Sequence, residues 1–168
     1  TDAVTLTRHN ANLNNVSVDA RLGTYFSNFN QTFDVIVANL PQKLILGENS
    51  TVDEAGAVSF GVNGGSSGNE ILIELLDRAK TFMTPTSRLY IQIYSLTDHR
   101  GTLDHVLKNY DAKLLAVRHF CEDSLIQEDP EGYLTLAKRG IIDISERDGH
   151  WYAYESAYEL RLKTADSK

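Results

Sequence analysis

Three observations predict an α/β domain built on a mostly parallel sheet. Phe33 to Gln42 reads FDVIVANLPQ, and there four apolar residues, Val35 to Ala38, lie between Asp34 and Asn39. A short apolar run bounded in this way suits a strand buried on both faces, as in a parallel sheet. Ile71, Leu72, Leu75, Leu76, Ala79 and Phe82-Met83 recur at helical spacing, just before RLYIQIYS at 88–95 alternates as a strand does. Strand and helix patterns then keep succeeding one another, the order of the second part of a doubly wound sheet. In open sheets of this kind ligands bind outside the carboxyl ends of the strands, so the residues that follow Ala38 become the first candidates for a site.

Taken in order, residues 2–14 form a helix with Asp2 as cap, apolar Ala3, Val4, Leu6 and Leu13, and Asn14-Asn15 to close it. Val16 to Leu22 alternates as a strand and Gly23 ends it. Tyr25-Phe26 and the Asn/Ser-rich SNFNQ make the loop into FDVIVANLPQ. After Gln42 comes KLILGENSTVDEAGAVSFGVNGGSSG, which holds glycines 47, 56, 61, 64, 65 and 68. A loop of this size inside a compact domain is either functional or disordered. Loop 47–68 therefore reads as a surface loop near the site, acting as a lid, with a slack connection as the alternative.

Ser67-Gly68-Asn69-Glu70 has the spacing of a capping box, the Ser67 hydroxyl and the Glu70 carboxylate each taking an early backbone N–H. Thr84-Pro85 stops the helix that follows. Asp98 to Gly101 is a turn, 102–110 a short helix, and Lys113 to Phe120 a strand. Residues 121–150 are polar and mixed, with Pro130, Gly132, Gly140 and Gly149 as breakers and Tyr133 to Lys138 helical. Trp151 to Leu162 alternates over a long run and predicts a final strand, paired as a hairpin with an earlier one. The last residues, 165–168, are expected to fray.

A chain of 168 residues is long enough for one domain with a sizeable core. No run of about 18 apolar residues predicts a transmembrane helix, and the first residues lack the basic start and apolar core of a secretory signal. Cys121 is the single cysteine, which excludes an internal disulfide and a cysteine-rich metal site and fits a cytoplasmic setting. With 16 basic residues scattered among 23 acidic ones, net −7, a phosphate backbone is disfavoured as the main partner.

The histidines at 9, 99, 105, 119 and 150 show no metal-ligand spacing, so no metal is expected. His9 reads as a helix-surface residue. His99, beside Asp98, reads as a solvated turn residue, with a base role as the alternative. Tyr90 and Tyr94 read as sheet-face packing. Trp151, Tyr152, Tyr154 and Tyr158 read as an aromatic strand packed on a helix, with a pocket lining as the alternative.

Three segments together resemble class I S-adenosylmethionine-dependent methyltransferases of the "methyltransferase small domain" group. DAVTLTRHNANLN is similar to the helix after their second strand. FDVIVANLPQ is similar to their fourth strand with its (Asn/Asp)-Pro-Pro-(Tyr/Phe) motif. GGSSGNEILIELLDRAKTFMTPTSRLYI is similar to the helix and fifth strand that follow. The resemblance covers nearly residues 1–120 and is specific in order as well as content. It implies a three-layer, Rossmann-like methyltransferase sheet with a C-terminal antiparallel hairpin, and residues 1–164 would be the C-terminal two-thirds of one domain. The activity implied is methyl transfer from S-adenosyl-L-methionine to a nitrogen, or less readily a sulfur or oxygen, of a small molecule or peptide.

On the same basis Asn39 and the Leu40 carbonyl accept hydrogen bonds from the target amine, Pro41 fixes the carbonyl direction, and Gln42 adds a donor or acceptor. Thr24 and Tyr25 fall where the family meets the cofactor's adenine, and Asn39 also counts toward the cofactor. The chain departs from the family in two ways. Asn-Leu-Pro-Gln replaces Asn-Pro-Pro-Tyr, which puts a flat, stacked acceptor in doubt. The glycine-rich loop after strand one and the acidic residue ending strand two are absent. A sheet of family order 3-2-1-4-5-7-6 would then lose its first two strands. A preceding segment or another chain completing the sheet is expected, and a self-sufficient variant fold is the remaining option. The alternative function is a methyltransferase-like scaffold or partner subunit that does not bind cofactor alone.

Overall fold

The computed structural model describes residues 2–42, 44 and 67–163. Among them one mixed sheet runs in the order β1-β2-β5-β3: β1 (Val35–Ala38), β2 (Arg88–Tyr94), β5 (His150–Leu162) and β3 (Tyr110–Cys121), with β4 (Ser145–Arg147) added to the start of β5. β1 and β2 are parallel, Val35 facing Arg88 and Ala38 facing Ile91. β5 runs antiparallel to β2, β3 and β4. The fold is α/β, and this strand succession is the 4-5-7-6 portion of the order expected from the resemblance. The final strand is more central than a simple hairpin member, because it lies between β2 and β3.

The helices between the strands are α2 (Glu70–Ala79), extended by a 3₁₀ turn at Lys80–Phe82, α3 (His99–Asn109), α4 (Asp123–Glu128) and α5 (Pro130–Lys138). α2 and α3 cover one sheet face. Leu72, Leu75, Leu76 and Ala79 of α2, with Val106 of α3, pack on Ile36, Ala38, Leu89, Ile91, Ile93 and Leu160. Burying each such Leu or Ile side chain stabilises the fold by roughly 1.5–3 kcal/mol. A second core gathers at the carboxyl end of β2, where Leu96, Ile126, Tyr133, Ile142 and Ala153 enclose the helical turns of 123–138.

Caps set where the helices begin. Asp98 accepts from Gly101 N–H at 3.0 Å and starts α3 at His99, three residues before the helix expected from 102. Asp129 accepts from Gly132 N–H at 3.0 Å with Pro130 at the first helical position of α5. The box at α2 is half made. The Glu70 carboxylate takes the Ser67 N–H at 2.8 Å, but the Ser67 hydroxyl reaches only Asn69 N–H, at 3.4 Å, and the helix starts after Asn69.

α1 (Asp2–Leu13) ends in a Schellman motif: Val16 N–H bonds Ala11 O at 3.0 Å, Asn15 N–H bonds Asn12 O at 3.2 Å, and Asn15 takes φ 54°. Val16 to Leu22 is not a strand. Val16, Val18 and Leu22 are all exposed, and no described strand lies alongside to take their ladder bonds. The following loop instead docks through aromatics, Phe26 stacking on Phe82 with centroids 4.6 Å apart. It delivers Phe33, whose N–H bonds Phe82 O and whose carbonyl accepts from the Ser87 hydroxyl at 2.6 Å. Those two bonds set the entry of β1 beside β2. Most of loop 47–68 lies outside the described residues. The described part, Ser67 and Gly68, adjoins β2: Gly68 has φ 81°, and a Cβ there would meet Thr97 Cγ2 at 2.7 Å.

Candidate functional site

At Asn39 the chain leaves β1 while β2 continues to Tyr94, so β2 carries backbone groups that β1 no longer pairs. Gln42 takes their place in the ladder. Its Nε2 donates to Gln92 O at 2.9 Å and its Oε1 accepts from Tyr94 N–H at 3.1 Å. Both ends of one side-chain amide thus mimic a strand residue and pin the far end of the turn to the sheet. Pro41 fixes φ within the pinned span. Asn39, at the near end, is exposed, and its side chain makes no hydrogen bond among the described residues.

This corner forms one wall of a cleft of about 440 Å³ on the sheet face opposite α2 and α3. Asn39, Leu40, Pro41 and Gln42 line one side, and Gln92 and Tyr94 the floor. Glu122, Ser124, Leu125 and Glu128 of the α4 region form the opposite side, with Glu155 of β5 between them. Tyr94 stacks on Phe120 at 5.6 Å. Burial pushes the Tyr94 phenol far up, helped by the hydrogen-bonded Glu122 carboxylate. It therefore stays protonated and donates. Among the described residues the cleft wall carries three carboxylates and no Lys or Arg, a surface that receives N–H donors and cations and repels anions.

The structure brings Asn39, Leu40, Pro41 and Gln42 together at this wall. It does not bring Thr24 and Tyr25 there. Thr24 sits in an exposed turn, and Tyr25, at φ 50°, lies against α2, its hydroxyl 3.2 Å from both Ile71 O and a Glu74 carboxylate oxygen. His99 is not a solvated turn residue and does not line the cleft. It occupies the first turn of α3 with Nδ1 buried and without a close hydrogen-bond partner among the described residues, and Nε2 3.3 Å from the Tyr154 hydroxyl. Burial lowers its pKa from the ordinary 6.5, against the pull of Asp143. The Tyr154 hydroxyl also donates to Asp143 at 3.0 Å, and burial, then Asp143, push it up to about 12. Trp151 packs in the second core and Tyr158 against the first, as an aromatic strand on helices.

Sequence reasoning missed the far wall. Glu122, Ser124 and Glu128 fall in a stretch with no periodic signal, and α4 is only six residues long. One signal was available. Asp148-Gly149, at φ 54° and 78°, is the type I′ pair that closes the β4–β5 hairpin.

Fold and cleft together define a class, an α/β domain of Rossmann-like methyltransferase topology whose polar site opens at the carboxyl end of a parallel strand. No family model matches the chain. It is similar, at 31% identity over 102 residues, to a protein of Methanocaldococcus jannaschii (strain ATCC 43067 / DSM 2661 / JAL-1 / JCM 10045 / NBRC 100440) whose name marks it as a candidate protein N5-glutamine methyltransferase. The match covers 61% of this chain and 50% of that protein, so the chain spans about half the length of the curated relative it matches. No described helix is long and apolar enough to cross a membrane.

Proposed function

We propose that this chain carries the acceptor-binding half of a methyltransferase that moves a methyl group from S-adenosyl-L-methionine to a nitrogen of a small molecule or peptide. The observation that carries the reading is the Asn39 corner: an exposed amide, with no partner among the described residues, at the mouth of a cleft, on a turn stiffened by Pro41 and fastened to β2 by Gln42. The similarity to a protein named for methyl transfer supports it.

When bound, the cofactor supplies an electrophilic methyl on a sulfonium, which needs an aligned lone pair and little else. In this reading the Asn39 amide oxygen and the Leu40 carbonyl accept the acceptor's N–H groups and aim its lone pair. Gln42 is a positioning residue, since both ends of its amide are already engaged. Glu122, Glu128 and Glu155 favour an amine or amide acceptor over an anionic one. Alignment of this kind supplies rate through proximity and preorganised dipoles. The described lining residues include no basic group for the donor's carboxylate, and Thr24 and Tyr25 stand elsewhere. The proposal therefore gives the cofactor mainly to polypeptide outside the described residues, from a preceding segment or a second chain along β1.

Incubating the complete protein with methyl-labelled S-adenosylmethionine and a panel of glutamine peptides, primary amines and thiols tests the reading. Label on a nitrogen is the expected result. Cofactor binding absent by calorimetry, with no acceptor labelled, overturns it and leaves the scaffold function.

A further inference from the structure

Behind the far wall of the cleft stands a cluster that the methyl-transfer reading does not use. Cys121 ends β3, Asp123 opens α4 and His150 opens β5 beyond the hairpin turn. One donor atom from each, a thiol sulfur, a carboxylate oxygen and an imidazole nitrogen, lies within 4.8 Å of the other two. His150 Nδ1 is 2.5 Å from Asp123 Oδ2, and the Cys121 sulfur stands within 4.8 Å of the donor atoms of both. The remaining oxygen, Asp123 Oδ1, accepts the Trp151 N–H at 2.5 Å, which fixes the carboxylate plane from behind. A ligating group oriented by an outer hydrogen bond is the usual support of a metal ligand.

We infer that Cys121, Asp123 and His150 form a binding site for a divalent transition-metal ion of the zinc type. Sulfur and imidazole donors select such an ion over magnesium or calcium, which take oxygen sets. Bonds of about 2.0–2.3 Å draw three donors of this spread onto one centre by small side-chain rotations, and water fills the fourth tetrahedral position. Cys121 and His150 are exposed, so the ion has an open entry path. Binding needs the thiolate and the neutral imidazole, so it releases the thiol proton to solvent.

The placement gives the ion a consequence. Cys121 and Asp123 alternate along the chain with Glu122 and Ser124, which line the cleft. A metal held by the first pair and by His150 would tie β3, α4 and the β4–β5 hairpin together and hold the second pair at the acceptor. This site is independent of what the cleft transfers.

Titration of the chelator-treated full chain with cobalt(II), followed by zinc competition, tests it. One equivalent of cobalt giving a thiolate-to-cobalt charge-transfer band, displaced by zinc, is the expected result. Cys121→Ser abolishes the band, and His150→Gln weakens affinity by at least about tenfold, the smallest loss seen when even an outer-shell partner is removed. Zinc raises the melting temperature of the unaltered chain and not of Cys121→Ser. A cobalt spectrum without the thiolate band, or equal zinc affinity in all three proteins, overturns the site.

Discussion

At the scale of single residues, two positions do more than their polarity suggests. Gln42 satisfies one donor and one acceptor of β2 with one side chain. Replacing it with Leu leaves Gln92 O and Tyr94 N–H unpaired beside a partly closed cleft, and each such group costs about 1–3 kcal/mol. Gln42→Leu is expected to lower the unfolding free energy from chemical denaturation by about 2–6 kcal/mol for the two groups together, whereas Asn39→Ala is expected to leave it nearly unchanged. His99 sets a pH dependence. Burial depresses its folded pKa below the unfolded 6.5, against the pull of Asp98 and Asp143, and Arg100 adds to the depression. The unfolded chain then binds more protons below that value. This contribution is complete above pH 6.5 and is lost as the pH falls through the window beneath it. Midpoints measured from about pH 7 to pH 5 should fall more steeply for the unaltered chain than for His99→Gln. The amide and proline of the corner were legible because a polar turn after an apolar strand is a local pattern. The burial of His99 was not, since the Tyr154 that covers it comes 55 residues later.

Among elements, those with enough length to show a period were legible. α2 buries Leu72, Leu75, Leu76 and Ala79, the stripe that its spacing predicts. β2 alternates over its seven residues, and β5 is long enough, at thirteen, to read as a strand although its buried residues, Ala153, Ser156 and Leu160, do not alternate. α4, with six residues, and β4, with three, are too short to show a period; α4 is held by the second core and by Asp123 to the start of β5, and β4 by its ladder to β5 and the Asp148-Gly149 turn. Val16 to Leu22 shows the converse. Its alternation is real, but alternation makes a strand only beside a partner that completes the ladder, and none is described there. Capping is where small elements are most vulnerable. Asp129→Ala removes the side-chain acceptor at the start of α5, and its expected cost is about 1 kcal/mol. A fall in melting temperature that Asp129→Asn largely restores would identify the cap as the cause.

For the whole molecule, β1 is the informative margin. It ends the sheet among the described residues, and Val35 and Val37 are 55% and 74% exposed. Asp34 O accepts from Arg88 N–H on the inner side, so alternation turns the amides of Val35 and Val37 outward. Such an edge invites another strand. Hydrogen exchange on this chain alone should find the Val37 amide fast and the Ile36 amide protected. Slow exchange at Val37 in the complete protein would mark the completing strand, and equally fast exchange would remove that part of the proposal. The sheet order was legible because three segments stood in a known succession. The acidic lining was not, because Glu122, Glu128 and Glu155 come together from the β3–α4 junction, α4 and β5 only after the sheet closes.

The central claim is that the Asn39 corner aims a methyl acceptor. It is tested most directly by Asn39→Ala in the complete protein, with cofactor affinity from calorimetry and turnover from label transfer measured side by side. The expected result is a kcat lower by about 100-fold, as for other lost alignment contacts, with cofactor affinity nearly unchanged. Turnover equal to that of the unaltered protein would contradict it.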